Sequence, residues 1–433
     1  MTVILESGYS LPSGDQPLTH ARIAHSLNWL SGGTASASST ATGFFAGAPN
    51  NSLTYERWKP SSVTATWEYD HGSSAECDYC CVAAHTFGTN NNTILVEYDG
   101  ASRTNLLTYS EQLDQWSTTS SITLTQDATI APDGNTTAEI LAKNAGTFVY
   151  MARKGITVAG QEYTASIYLK QGTAAVTAIR LYKDVTEGEP LNTLSIDWSD
   201  PDATGTDVGN GWYRFSITAT AVDTGINVLI YPAGSSVGTG TVFAWGAQLE
   251  EGTKATPYIK TTASTASSTW YALTEYTTLT SDEPIMFIFE PETRQRWRIS
   301  ITGGTAPEVG VIKFGTAMQM ERPIYGGVAP IPMARQTILR SNYSETGEYL
   351  GRVQQRSYLS ASYSWQHLTS DWVRANWPDF QRAAEAEPFW LAWRPGTFGD
   401  VGYCQVDEVP IPSNMGIRDL LSVSMSVRAR GYD

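Results

Sequence analysis

"ECDYCCVAAH", residues 76 to 85, decides whether this chain carries a metal knuckle or an interior strand. Cys77, Cys80 and Cys81 lie together, with His71 before them and His85 after. A zinc site needs four ligands converging within about 2.0–2.3 Å of one point, and Cys77-x2-Cys80 has the first spacing. Residues 78 to 84, however, form a nearly continuous apolar run, which predicts a strand. On a strand successive side chains point to opposite faces, so Cys80 and Cys81 diverge and only one of them can join Cys77. The expected arrangement has Tyr79, Cys81 and Ala83 on one face, Cys80, Val82 and Ala84 on the other, and His85 closing the strand. The cysteines then act as small buried hydrophobes, as does Cys404 in "VGYCQV". No metal and no cofactor is expected.

Composition extends that reading to the whole chain. At 433 residues it is long enough for roughly three domains. Charged residues make up 16%, Trp and Tyr together number 36, and Gly, Ser and Thr are abundant, which suits many short strands joined by turns. The expected fold class is all-β. A formal charge of −15 argues against a nucleic-acid partner, because that affinity comes largely from Lys and Arg releasing counterions. Four cysteines do not make a disulfide framework. "MTVILESGYSLPSG" lacks a basic region followed by a long apolar run, and no window holds 18 uninterrupted apolar residues. A soluble protein made in the cytoplasm, with no membrane insertion, is expected.

Two seams divide the chain. "ILVEYDGASRTNLL" passes through Asp99-Gly100-Ala101-Ser102 into a new start, and "KTTASTASSTW" spans residues 260 to 270. Between them "EYTASIYLK", "TAIRLYKD", "GWYRFSITAT", "GINVLIYPAG" and "TVFAWGAQLE" alternate apolar with polar between turn residues, predicting a β-sandwich over 103–262. Residues 1–102 and 263–322 read as one sandwich interrupted by this insert. Residues 323–433 form a mainly β segment with one helix in "TSDWVRANWPDFQRAAEAEP". There Thr369 or Ser370 caps the helix, Trp372, Ala375, Asn376 and Phe380 share a face, and Pro388 follows the end. Residues 105–262 carry −7, whereas the last segment has ten Arg, no Lys and eleven acids. Arg without Lys suits a protein interface; the competing explanation is an Arg-preferring genome.

The motifs resemble those of tail proteins from long-tailed bacteriophages. "THARIAHSLNW", "TYERWKP", "ATWEYD" and "DYCCVAAHTFGT", with the return segment "RQRWRISITGGTAPEVGVIKFG", are similar to a discoidin-like jelly roll. "NLLTYSEQLDQW", "APDGNTTAEIL", "YTASIYLKQGT", "NGWYRFSITAT" and "VFAWGAQLEEGTKATPYIKTT" resemble carbohydrate-binding-module-like jelly rolls of phage tail and adhesion proteins. "RQTILRSNYSETGEYLGR", "EPFWLAWRPGTFGDVGY" and "NMGIRDLLSVSMSVRARG" are similar to the closing domain of distal-tail and baseplate-hub proteins. The resemblance implies two jelly rolls, one inserted in the other, and a C-terminal tail-assembly domain. It further implies a virion tail component, made in the host cytoplasm and assembled with other tail proteins as a ring of three or six copies. It brings no catalytic motif, and no catalytic residue is expected.

"GSSVG", residues 234 to 238, matches a nucleophile elbow, but that motif needs a helix after it, and "TGTVFAWGAQLE" reads as a strand. An inter-strand loop is expected there. Glu187 and Glu189 in "TEGEP" read as solvated turn residues, although a glycosidase pair depends on a separation that sequence does not give. Sugar rings pack their C–H faces on aromatic side chains while their hydroxyls need fixed polar partners. With Ile167, Leu169, Ile179 and Leu181 in the core, Tyr168, Lys170, Arg180 and Tyr182 face outward, joined by Tyr231, as a platform for host surface polysaccharide. The expected glycan-binding residues are Tyr168, Arg180, Tyr182 and Tyr231; cross-strand Tyr and Arg also stabilise sheets without binding anything. Trp212, Tyr213 and Trp245 are expected in the core. A purely structural baseplate protein and a polysaccharide depolymerase are the competing functions.

Overall fold

The computed structural model describes all residues except 1, 7, 120, 185–188, 325, 417 and 430–433. Among the described residues regular structure comprises four sheets, one α-helix and four short 3-10 helices, and Thr2–Leu5 pairs in parallel with Ile285–Thr302. The all-β class expected from composition holds. The chain divides into two compact units, residues 99–277 on the one hand and residues 1–98 with 278–433 on the other.

In the discontinuous unit the opening segment is an interior strand. Ala65–His85 lies between Ile285–Thr302 and Val309–Gly315, and Thr93–Asn105 pairs with the far side of Ile285–Thr302. Tyr79, Cys81 and Ala83 join one core with Met286, Ile288 and Val311. Cys80 pairs with Phe287 and Phe314 on the other face, where Trp297 stacks on Phe289 and Phe314. His85 ends the strand as expected, and its Nε2 donates to the Glu283 carbonyl at 2.8 Å. Burial lowers the His85 pKa to about 4, so its ring is neutral. His71 lies in an exposed stretch of the strand and bonds the Ser73 carbonyl. All four cysteines are free and buried, and among the described residues no group of three His, Cys, Asp or Glu is placed to hold a metal.

The second sheet of this unit draws on both ends of the chain. Arg22–Ala24 pairs with Phe389–Ala392, next to Val401–Val406, Leu420–Ala429, Tyr349–Thr369 and Arg335–Tyr343. Residues 323–433 therefore complete their sheet with an N-terminal strand. Phe389 and Leu391 pack toward the helix, while Trp390 and Ala392 pack with Tyr79 and Cys81. The four-residue run "FWLA" is apolar at every position because both of its faces are covered.

The helix is Ser370–Ala386, capped by Thr369, whose Oγ1 accepts from the Trp372 N–H at 3.3 Å. Its buried face differs from the expected one: Val373, Trp377, Phe380 and Ala384 face the core, Ala375 is exposed, and Trp372 and Asn376 are half-buried. Trp377 decides this phase, because its large ring is fully buried and its Nε1 donates to the Pro410 carbonyl at 3.0 Å. Regular structure continues through both seams, although the first of them falls at the division between the two units. The strand Thr93–Asn105 runs on through residues 99–102, and Ala266–Ala272 is a strand paired with it. Arg103 stacks 4.6 Å over Tyr271, and Thr104 bonds Ser267 at 2.7 Å, which is how so polar a pair of segments makes a ladder.

Burial pushes all four thiol pKa values up, which suppresses the reactive thiolate. A thiol-specific reagent at neutral pH is expected to label none of the four in the folded protein and all four in guanidinium. Rapid labelling of any of them without denaturant would contradict the packing described.

Candidate functional site

Residues 99–277 form a two-sheet sandwich. One sheet is ordered Gly205–Gly209, Trp212–Thr220, Glu162–Gln171, Gly240–Glu251, Ala138–Lys143 and Ile122–Thr129; the other Asn192–Asp197, Val176–Lys183, Gly225–Tyr231, Met151–Ile156 and Ser117–Thr118. Ile167, Leu169, Ile179 and Leu181 lie in the core between them, as the alternation predicts.

Those four core residues nonetheless come from opposing sheets, and this corrects the expected row. Glu162–Gln171 and Val176–Lys183 are consecutive but belong to different sheets, joined by an arch rather than a hairpin. The arch is tight: a Cβ on Gly172 would lie 2.3 Å from Thr241 Oγ1 and 2.6 Å from its carbonyl oxygen. Tyr168 consequently faces out from one sheet, and Arg180, Tyr182 and Tyr231 from the other.

Tyr168 is roofed over. Its ring meets Trp245 edge-on at 5.2 Å and Tyr258 at 6.3 Å, and Arg214 stacks above it at 5.2 Å. Burial pushes its phenol up to about 12. Trp212 and Trp245 are buried in the same cluster, as expected of framework residues. Tyr213 is half-buried against Trp198 and Phe215 at the main core. Lys170 donates to the Asn210 carbonyl at 2.8 Å.

The other outer face holds the polar-aromatic group. Arg180 stacks 4.8 Å over the Tyr231 ring, and its Nη2 donates to Ser235 Oγ at 2.9 Å. Its Nε is buried and makes no hydrogen bond. Tyr150, which sequence reasoning missed, packs at 5.3 Å from Tyr231 and is half-buried, whereas Tyr231 and Tyr182 are 1% and 6% exposed. Burial and the neighbouring Tyr182 push the Tyr231 phenol up, so it stays a neutral hydroxyl. Tyr150 and Arg180 thus present the accessible edge, with Tyr182 and Tyr231 supporting them. The alternation in "VYMARK" held the missing signal: with Met151 in the core, Tyr150, Ala152 and Lys154 have the parity of the outer face.

"GSSVG" borders this face. It connects the strands Gly225–Tyr231 and Gly240–Glu251, so no helix follows Ser236. Lys143 Nζ donates to the carbonyls of Gly234 and Ser236 at 3.0 and 2.6 Å, and Phe148 N–H donates to Ser235 O at 3.1 Å. Ser235 is therefore held in place beneath the guanidinium. Glu189 is exposed, and Glu187 lies outside the described residues.

A second cluster had no sequence signal beyond parity. Ala138–Lys143 turns Glu139, Leu141 and Lys143 inward, and Glu139 lies opposite the core residue Ala244. Glu139 is 2% exposed and its Oε2 has no hydrogen-bond partner. With Glu111, Asp114, Asp127 and Lys260 it lines a cavity of about 220 Å³. Lys260 pairs with Glu111 at 2.5 Å, and Tyr258 OH donates to the same carboxylate at 3.1 Å. Burial, with Asp114 adding repulsion, pushes the Glu139 carboxyl up to about 8.

Comparison with known proteins finds no matching family model and no matching curated protein. Among solved structures, the chain is similar to the module TmCBM61 in complex with β-1,4-galactotriose, with 13% identity, a TM-score of 0.24, and 34% of this chain and 99% of that one covered. A carbohydrate-binding module from Cellvibrio mixtus lichenase 5A, in complex with cellotriose, matches at 10% identity and TM-score 0.23 over 36% of this chain and 99% of that one. The enzymatically active domain of bacteriophage CBA120 tailspike protein 4 matches at 12% identity and TM-score 0.24 over 34% of this chain, but the match spans only 21% of that domain. Likenesses this loose transfer no property of those proteins to this chain.

The raised Glu139 pKa sets a stability test. Folded Glu139 keeps a proton that the unfolded chain, at about 4.5, has released, so its contribution is present below pH 4.5 and lost as pH rises toward 8. Replacing Glu139 with Gln should leave stability near pH 4.5 little changed and raise it relative to the parent as pH approaches 8, read as thermal midpoints across that range. Parallel pH curves for the two proteins would contradict the assignment.

Proposed function

We propose that this protein is a structural component of a bacteriophage tail tip or baseplate, and that its inserted sandwich binds host surface glycans. The observation that carries the glycan reading is the outer sheet face on which Arg180 is fixed between the Tyr231 ring and Ser235, beside the half-open ring of Tyr150. An apolar ring next to a fixed guanidinium suits a pyranose, whose C–H face packs while its hydroxyls accept from nitrogen. Repetition in a ring of three or six copies would turn weak single-site affinity into avidity.

The tail assignment is supported by the motif resemblance and by the Arg-only basic set of residues 323–433. A purely structural baseplate role is the competing reading, favoured by the burial of Tyr182 and Tyr231.

On host-cell polysaccharide, Arg180→Ala and Tyr150→Ala in the intact protein are each expected to weaken binding roughly 10-fold, about 1.4 kcal/mol per site. An intact protein that binds no host glycan would establish the structural role in its place. Antibody raised against residues 323–433 is expected to label the tails of purified virions, and unlabelled tails would overturn the tail assignment.

A further inference from the structure

A different groove lies in the unit made of residues 1–98 and 278–433. It has a volume of about 430 Å³ and opens between residues 52–55 and the strands Tyr349–Thr369, Val401–Val406 and Leu420–Ala429. Arg356 and Tyr358 are two residues apart on one strand and so share a face. Arg428 pairs with Ser360 and with Gln405 on its two neighbours, which brings all three strands to that face. Leu359, Val427 and Ala429 point the other way, into the core beneath the helix.

The two guanidinium groups lie 5.4 and 5.5 Å from the centre of the Tyr358 ring, Arg356 and Arg428 respectively. Stacking engages the flat faces of a guanidinium and leaves its N–H edges free to fork onto a carboxylate. Arg428 shares its charge with Asp407 at 2.8 Å, whereas Arg356 has no ion-pair partner among the described residues. Among the described residues no carboxylate lines the groove, although the chain as a whole carries −15. Here is a cationic recess in an acidic protein.

The opposite wall presents Tyr55, 75% exposed, on a braced loop. Tyr403 OH donates to the Ser52 carbonyl at 2.9 Å, Leu53 N–H donates to Asn51 Oδ1 at 2.7 Å, and Asn51 Nδ2 donates to Glu56 at 2.6 Å. A bare aromatic ring on a loop so fixed is pre-organised for contact, because little ordering remains to be done on binding. Its volume falls within the range of small-ligand pockets, about 300–1,000 Å³.

We propose that this groove binds a carboxylated saccharide, with Arg356 receiving the carboxylate, Tyr55 and Tyr358 packing the ring, and Gln405 bonding its hydroxyls. This groove belongs to the other compact unit, and the proposal does not depend on the Arg180 face. Titration of the intact protein with a panel of uronate and sialate oligosaccharides, against neutral oligosaccharides of equal length, tests it. At least one acidic oligosaccharide is expected to bind at least 10-fold more tightly than its neutral counterpart, with affinity falling as salt rises. Arg356→Ala and Tyr55→Ala, both at exposed side chains, should each weaken that binding about 10-fold. Equal or absent binding of every acidic member, or binding indifferent to both variants, would overturn the proposal. So would variants that change the sedimentation of the protein and not its saccharide binding, which would make the groove a subunit contact.

Discussion

A strand that is apolar on both faces can exist only where two layers cover it, because each uncovered face would leave apolar surface in water. Residues 78–84 and 389–392 impose this requirement, and the discontinuous unit is arranged around it. One face of Phe389–Ala392 meets the helix, and the other meets the sheet that contains Tyr79 and Cys81. The cysteines belong to that interior, where small side chains fit between larger ones such as Phe287 and Phe314. The 99–277 unit follows a looser rule. Its sheets share one core, and each carries a smaller aromatic cluster on its outer face. Functional chemistry has room only on those outer faces and at the sandwich edge.

Period-2 alternation made most strands legible, and so did the side-chain parity of residues 79–83 and of the core positions Ile167, Leu169, Ile179 and Leu181. It gave no access to which strands share a sheet. Residues 172–175 look like a hairpin loop in composition, yet they arch between sheets, and the only trace of this in the sequence is a glycine that must lie against Thr241. That connection separates Tyr168 from Arg180. At residues 99–102 Asp-Gly favours a turn locally, but the ladder with Ala266–Ala272 holds the strand straight through, so the boundary between the two units falls within a continuous strand. On the helix, Trp377 set the phase by size, where simple spacing from Trp372 pointed to a neighbouring face.

Buried charge shows the same limit. Glu139 and Lys143 flank Leu141 with the same inward parity, yet Lys143 finds two carbonyls while one Glu139 oxygen finds no partner. No pattern in "TAEILAK" distinguishes the two outcomes, since the partners come from residues 234 and 236. Tyr150 is a milder case: its parity was readable, but its relevance depends on Tyr231 lying beside it. Sequence therefore supplied the side chains, and non-local pairing decided which of them meet.

The central claim is that the outer face carrying Arg180 and Tyr150 contacts sugar. An experimental density map of the intact protein with a host-derived oligosaccharide tests it most directly. The account predicts ligand density over the Tyr150 ring, within hydrogen-bonding distance of the Arg180 guanidinium. A sugar bound elsewhere on the 99–277 unit, with this face bare, would contradict it.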